Sequence, residues 1–198
     1  MNSGDSTFRK PDMAANTVKE QQEIYDPSDR YEIIDGVRYD LKPSPLVDHQ
    51  VLIGGLYTAL HRTCQPNGII LFAPMDVYLD DNNIIQPDVI FILNKNAGII
   101  TRKRIEGAPD LLVEILSPST ANRDKIRKKA LYERFGLKEY WIADPVHHTI
   151  DRFVLEQDKL QLRGVYGEGD TLTSELFACV SIDMTALFAP LARFQDME

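Results

Sequence analysis

The run Leu111-Leu112-Val113-Glu114-Ile115-Leu116 constrains the fold more than any other part of the chain. Its unpunctuated apolar character suits a central β-strand covered on both faces. Glu114 is the exception within it, because a lone carboxylate in such a strand carries a heavy desolvation cost unless it is paired or binds a cation. The run therefore predicts a layered architecture and, at its centre, either a structural ion pair or a metal ligand.

The flanking sequence supplies the rest of the architecture. Residues 121–136 carry a helical pattern stopped by Gly136, and Glu139–Ala143 returns to a strand, so strand, helix and strand form a crossover unit. Upstream, residues 21–30 read as a short helix ending near Pro27, and Tyr31–Lys42 as a hairpin about Asp35-Gly36. Val47–Cys64 takes the helical period, which places His49, Ile53, Leu56, Leu60 and Cys64 on one face. Strands are expected at Ile69–Ala73, Met75–Leu79 and Ile84–Leu93, the last bent or begun at Pro87. Thr149–Leu155 and Lys159–Tyr166 read as two more, with a short final element at Asp183–Phe188. The class is α/β, a mixed sheet flanked by helices.

With 198 residues, one domain over 23–198 is expected, preceded by a mobile polar leader at 1–22. No apolar run approaches the ~20 residues of a membrane helix, and the polar start lacks the core of a secretion signal. A cytoplasmic protein without membrane contact is the expectation. Cys64 and Cys179 form no metal-ligand pattern and are expected to be buried, reduced packing residues and not a disulfide. The net charge of -8 argues against a general nucleic-acid coat protein. The segment Arg102–Lys138 nonetheless carries +5, which is either a solvated surface or a basic rim around an acidic centre.

Asp88 opens the strand-like run Val89–Leu93. Two carboxylates on neighbouring strands can converge on Mg²⁺, which takes one or two carboxylates together with waters and phosphate oxygens. The main-chain carbonyl of Ile115 would complete the protein's share. In projection, Lys128 falls among Leu131, Tyr132 and Phe135 on the inward sector of the 121–136 helix. There it either snorkels along apolar surface or reaches Glu114, with Asp124 one turn earlier as a pairing or capping residue.

Glu32 with Gly36, His49, Gln86-Pro87-Asp88, Gly107–Leu111, Val113–Thr120, Lys128, Tyr132 and Glu139-Tyr140-Trp141 resemble the Uma family of restriction endonuclease-like proteins. The likeness extends over about Tyr31–Phe188. It implies the PD-(D/E)XK nuclease superfamily, a mixed sheet flanked by helices, and Mg²⁺-dependent phosphodiester cleavage with Mn²⁺ as a substitute. DNA is the substrate it implies. Asp88 corresponds to the first acid of the motif and Glu114 to the second. Two residues after Glu114, where the superfamily has a lysine, stands Leu116, a departure the Uma family shares; Lys128 is the natural replacement.

The resemblance also brings in His49 and Glu32 as members of the catalytic set. His49 is either a hydrogen-bonded core histidine or a contact to phosphate or to a water on the metal. Glu32 is either a salt-bridge partner or an outer ligand, and Gln86 a residue that steers water. Tyr132 and Trp141 are core residues first, with Tyr132 in reach of the site. Two rivals to the nuclease stay open: a silent DNA-binding protein of the same fold, and a dimerisation protein in which Lys128 neutralises Glu114. A homodimer would suit a nuclease that cuts both strands, although nothing in the sequence demands one.

Overall fold

The computed structural model describes residues 30–41, 46–117 and 123–194. The leader, residues 21–29 of the helix expected at 21–30 and the segment 118–122 lie outside them, and Arg30 is not helical. Tyr31–Ile34 (β1) and Val37–Asp40 (β2) form the expected hairpin. Asp35 and Gly36 turn it at φ 53° and 75°, the left-handed region this dipeptide tolerates. Val47–Cys64 (α1) is followed by Gly68–Phe72 (β3), Val77–Asp80 (β4), Asn83–Ile85 (β5), Val89–Leu93 (β6), Ile105–Glu106 (β7) and Leu111–Ile115 (β8). A π-helical turn, Arg123–Lys128, runs into the helix Lys129–Arg134 (α2). Then come Glu139–Asp144 (β9), Thr149–Glu156 (β10), Lys159–Tyr166 (β11), Thr171–Thr173 (β12), Ser181–Asp183 (β13) and Met184–Phe188 (α3).

The strands build a six-stranded sheet in the order β11-β10-β9-β8-β6-β3 and a five-stranded sheet in the order β2-β1-β5-β4-β7, with β12 and β13 as a separate pair. The β8 and β9 strands are parallel, as the crossover pattern requires, and their other neighbours in the six-stranded sheet are antiparallel. All five residues of β8 are buried, because both faces of its sheet are covered. Val89, Phe91, Leu111, Val113 and Trp141 face Leu52, Leu56 and Leu60 of α1 and the C-terminal residues Met184 and Leu187. On the opposite face, Ile90, Ile92, Leu112 and Tyr140 meet Ile34, Val77, Ile85 and Ile105 of the five-stranded sheet together with Leu131 and Tyr132 of α2. No helix among the described residues is long and apolar enough to cross a membrane.

Two expectations are corrected. The segment Ile84–Leu93 is two strands, since Pro87 marks the place where the chain passes from the five-stranded sheet to the six-stranded one. The short final element expected at Asp183–Phe188 is present as the helix from Met184, capped by the Asp183 carboxylate accepting from the Ala186 amide at 3.0 Å. Cys64 and Cys179 form a disulfide and are not free thiols. The sequence shows two cysteines 115 residues apart. Only the packing of the end of α1 against the C-terminal segment brings their Cα atoms to 5.1 Å.

Candidate active site

The β6–β8 register pairs Val89 with Val113 and Ile90 with Leu112, which brings Asp88, the residue before β6, to the end of β8 where Glu114 and Ile115 stand. Glu114 lies between Leu112 and Leu116, so its side chain leaves toward the face covered by α2 and the five-stranded sheet, where Lys128 and Tyr132 meet it. Asp88 Oδ2 accepts the Ile115 amide at 2.7 Å and lies 3.2 Å from His49 Nε2. The N–H and C=O of one strand residue leave the same edge, so the Ile115 carbonyl also faces the Asp88 side of β8. His49 stands in the first turn of α1; its Nδ1 is buried and has no hydrogen-bond partner among the described residues.

Glu114, Glu32 and Asp124 converge on Lys128. Its Nζ donates to Glu32 Oε1 at 2.7 Å and Glu114 Oε1 at 2.9 Å, and lies 3.5 Å from Asp124 Oδ1. All four residues are buried. The helix places Asp124 and Lys128 four residues apart on one face, and Tyr140 Oη fixes the same turn by donating to the Asp124 carbonyl at 3.1 Å. Leu116, at the position of the usual motif lysine, is buried in the apolar core, so the cation reaches Glu114 from the helix and not from the strand.

Three acids around one ammonium give the pocket a surplus of negative charge. Burial raises the Glu114 carboxyl well above the usual carboxylate range; Lys128 opposes this, while Asp124, Asp88 and Glu32 reinforce it. For Lys128, burial works against the charged form, but Glu114, Glu32 and Asp124 outweigh it and hold the ammonium protonated. Burial likewise raises the Tyr132 phenol, which stays a donor to Glu114 Oε1 at 2.8 Å.

The structure thus brings Asp88, Glu114, Lys128, Glu32 and His49 into one region, and Tyr132 contacts it as expected. Gln86 is held by protein groups: its Oε1 accepts from Arg30 Nε at 3.0 Å, and its Nε2 donates to Asp76 Oδ1 at 2.7 Å. Arg30 and Asp76 were not legible beforehand, since neither belongs to a motif and only tertiary structure brings them to Gln86. Of the basic run Arg102–Lys138, Arg104, Lys128, Lys129, Arg134 and Lys138 are ion-paired within the chain. The exposed Arg102, Lys103 and Lys125 remain as candidates for an external partner.

The donor set fits a hard divalent cation. Lys128 and Tyr132 both engage Glu114 Oε1, and Asp88 holds Ile115 and His49 through Oδ2. Among the described residues, no hydrogen bond engages Glu114 Oε2 or Asp88 Oδ1. No group of three or more His, Cys, Asp or Glu side chains among them is disposed to enclose a metal. A site of this kind would therefore rest on two carboxylates and leave most positions to water or substrate, as Mg²⁺ sites commonly do.

A crystal structure described as that of "a putative nuclease belonging to DUF820" from Anabaena variabilis superposes with a TM-score of 0.68 at 19% identity, covering 82% of this chain and 92% of that one. The chain thus has a restriction endonuclease-like fold. The type IIG restriction endonuclease BpuSI aligns with 73% of this chain and 16% of its own length, at 13% identity and a TM-score of 0.41. A search of curated proteins finds no match. The Uma2 family model, described as "Putative restriction endonuclease", matches residues 18–185. With that match spanning most of its length, the chain belongs to the Uma2 family.

Proposed function

We propose that this protein is a metal-dependent nuclease of the PD-(D/E)XK type that hydrolyses phosphodiester bonds of DNA. The observation that carries the reading is the hold of Asp88 on the Ile115 amide, next to Glu114, with the ammonium of Lys128 locked against Glu114 from a neighbouring helix. Asp88, Glu114 and the Ile115 carbonyl would hold Mg²⁺, or Mn²⁺ in its place. When bound, the metal supplies Lewis-acid polarisation of the phosphoryl group.

The remaining tasks fall to the chain itself. Lys128 and Tyr132 fix Glu114 through one oxygen and aim the other outward. Glu32 and Asp124 fix Lys128 in turn, which makes Lys128 a positioning residue here. His49 orients Asp88 through Nε2, and with the proton on that nitrogen Nδ1 is left as a proton acceptor. Leu112, Tyr132 and Tyr140 keep water from the inner side of the carboxylates.

A second reading draws on the saturation of Lys128: the same ion pair would serve a silent DNA-binding or dimerisation protein. The deciding experiment incubates plasmid, linear and single-stranded DNA and RNA with the protein in Mg²⁺ and in Mn²⁺, beside Asp88→Ala. Cleavage that needs a divalent ion and vanishes in the variant is the expected result. Cleavage that survives Asp88→Ala would assign the activity to a contaminant, and DNA binding without cleavage under either metal would favour the silent reading.

A further inference from the structure

We infer that Arg30 binds a phosphate of the substrate beside the site, held in place by Gln86 and Asp76; this rests on the nuclease reading above. Arg30 directly precedes β1 and continues its ladder, its carbonyl accepting from the Leu41 amide at 2.8 Å. It stands two residues before Glu32, so on an extended chain the two side chains leave the same face. Gln86 joins them: its side-chain oxygen accepts from Arg30 Nε, and its main-chain N–H donates to Glu32 Oε1 at 3.0 Å. Arg30 is thus one residue removed from the carboxylate that grips Lys128.

The partner chosen to hold this guanidinium is informative. Arg38, Arg104, Arg134, Arg152 and Arg163 are each ion-paired directly with Asp or Glu. Arg30 is half-buried, yet among the described residues it has no ion pair and a single side-chain hydrogen bond, through Nε to an uncharged amide. Arginine only donates and a carboxylate only accepts, so the Gln86 amide is oriented unambiguously between Arg30 and Asp76. A glutamate in this place would cancel the charge, whereas the amide fixes the side chain and leaves its charge uncancelled by contact. The two terminal nitrogens remain as a fork that matches two phosphate oxygens.

The site needs such a residue. Glu32, Asp88, Glu114 and Asp124 repel an approaching phosphodiester, and the one cation among them, Lys128, is buried behind Glu114 and Glu32. A fixed arginine next to this cluster offsets that repulsion where the backbone must approach.

The test measures binding of a short fluorescent DNA duplex and of its single strand, in EDTA and in Ca²⁺, across a salt series. The proteins are the parent, Arg30→Ala, Arg30→Lys and Gln86→Ala, each also followed through thermal unfolding. Loss of one charged phosphate contact should weaken binding about tenfold and flatten the log–log salt slope by about one unit in Arg30→Ala. Arg30→Lys should keep the slope and recover only part of the affinity, and Gln86→Ala should fall between, with melting unchanged throughout. In cleavage, KM should rise more than kcat falls. Parental affinity and slope in Arg30→Ala, or a lowered melting temperature with the slope intact, would overturn the inference while the nuclease reading stands. A parent that neither binds nor cleaves nucleic acid would overturn both.

Discussion

Lys128 is the residue on which the buried pocket turns. Replaced by alanine, it would leave Glu114, Glu32 and Asp124 facing one another without a cation, and removing one partner of a buried ion pair typically costs about 3–5 kcal/mol. Denaturant unfolding of Lys128→Ala should show a loss of that order. A loss of less than about 1 kcal/mol, the scale of an exposed pair, would mean that water reaches the pocket. Glu114 was legible because its apolar surroundings made a charge anomalous there, and Lys128 because helical projection turned it inward. The convergence of Glu32 on the same ammonium was not legible beyond the resemblance, since 96 residues of sequence separate partners joined only by packing.

At the scale of the element, the short α2 helix is tied to β11 through Glu133, whose carboxylate meets Lys129, Lys159 and the Leu160 amide. Burial would raise this carboxyl, but those hydrogen bonds outweigh it and pull it from 4.5 down to about 2. The folded protein therefore binds fewer protons than the unfolded chain in that window. The stability Glu133 contributes is present above pH 4.5 and is lost as the pH falls toward about 2. Glu133→Gln should melt below the parent at neutral pH, with the gap closing through the same window; a gap that persists undiminished at its acid end would contradict this linkage. Elements with a clear period were readable, and α1 spans the residues its pattern indicated. The strand β7 was not, because a run of two residues is too short for a periodic signal, and β5 was read as one strand with β6 because only packing assigns them to different sheets.

Across the whole molecule, the Cys64–Cys179 bond ties the end of α1 to the C-terminal segment that covers the same face of the six-stranded sheet. A cross-link over so long a loop commonly stabilises by about 2–5 kcal/mol. Thermal unfolding without reductant should place Cys179→Ser below the parent, and dithiothreitol should lower the parent and leave the variant unmoved. A parent indifferent to reductant would show the cross-link to be inconsequential. The layering was legible in outline from the doubly buried strand and its crossover. The division of the other strands between two sheets was not, for apolar patterning shows which face is covered and not by what.

On the nuclease reading, that division sets the moment at which the protein could begin to act. Glu114 belongs to one sheet and Glu32 to the other, and Lys128 bridges them from a helix that packs between strands of both. Neither half holds the ammonium alone. On the nuclease reading, a chain still leaving the ribosome, or one in which the sheets have come apart, would carry every one of these residues and yet have no working centre, so cleavage would be withheld from all but the finished molecule.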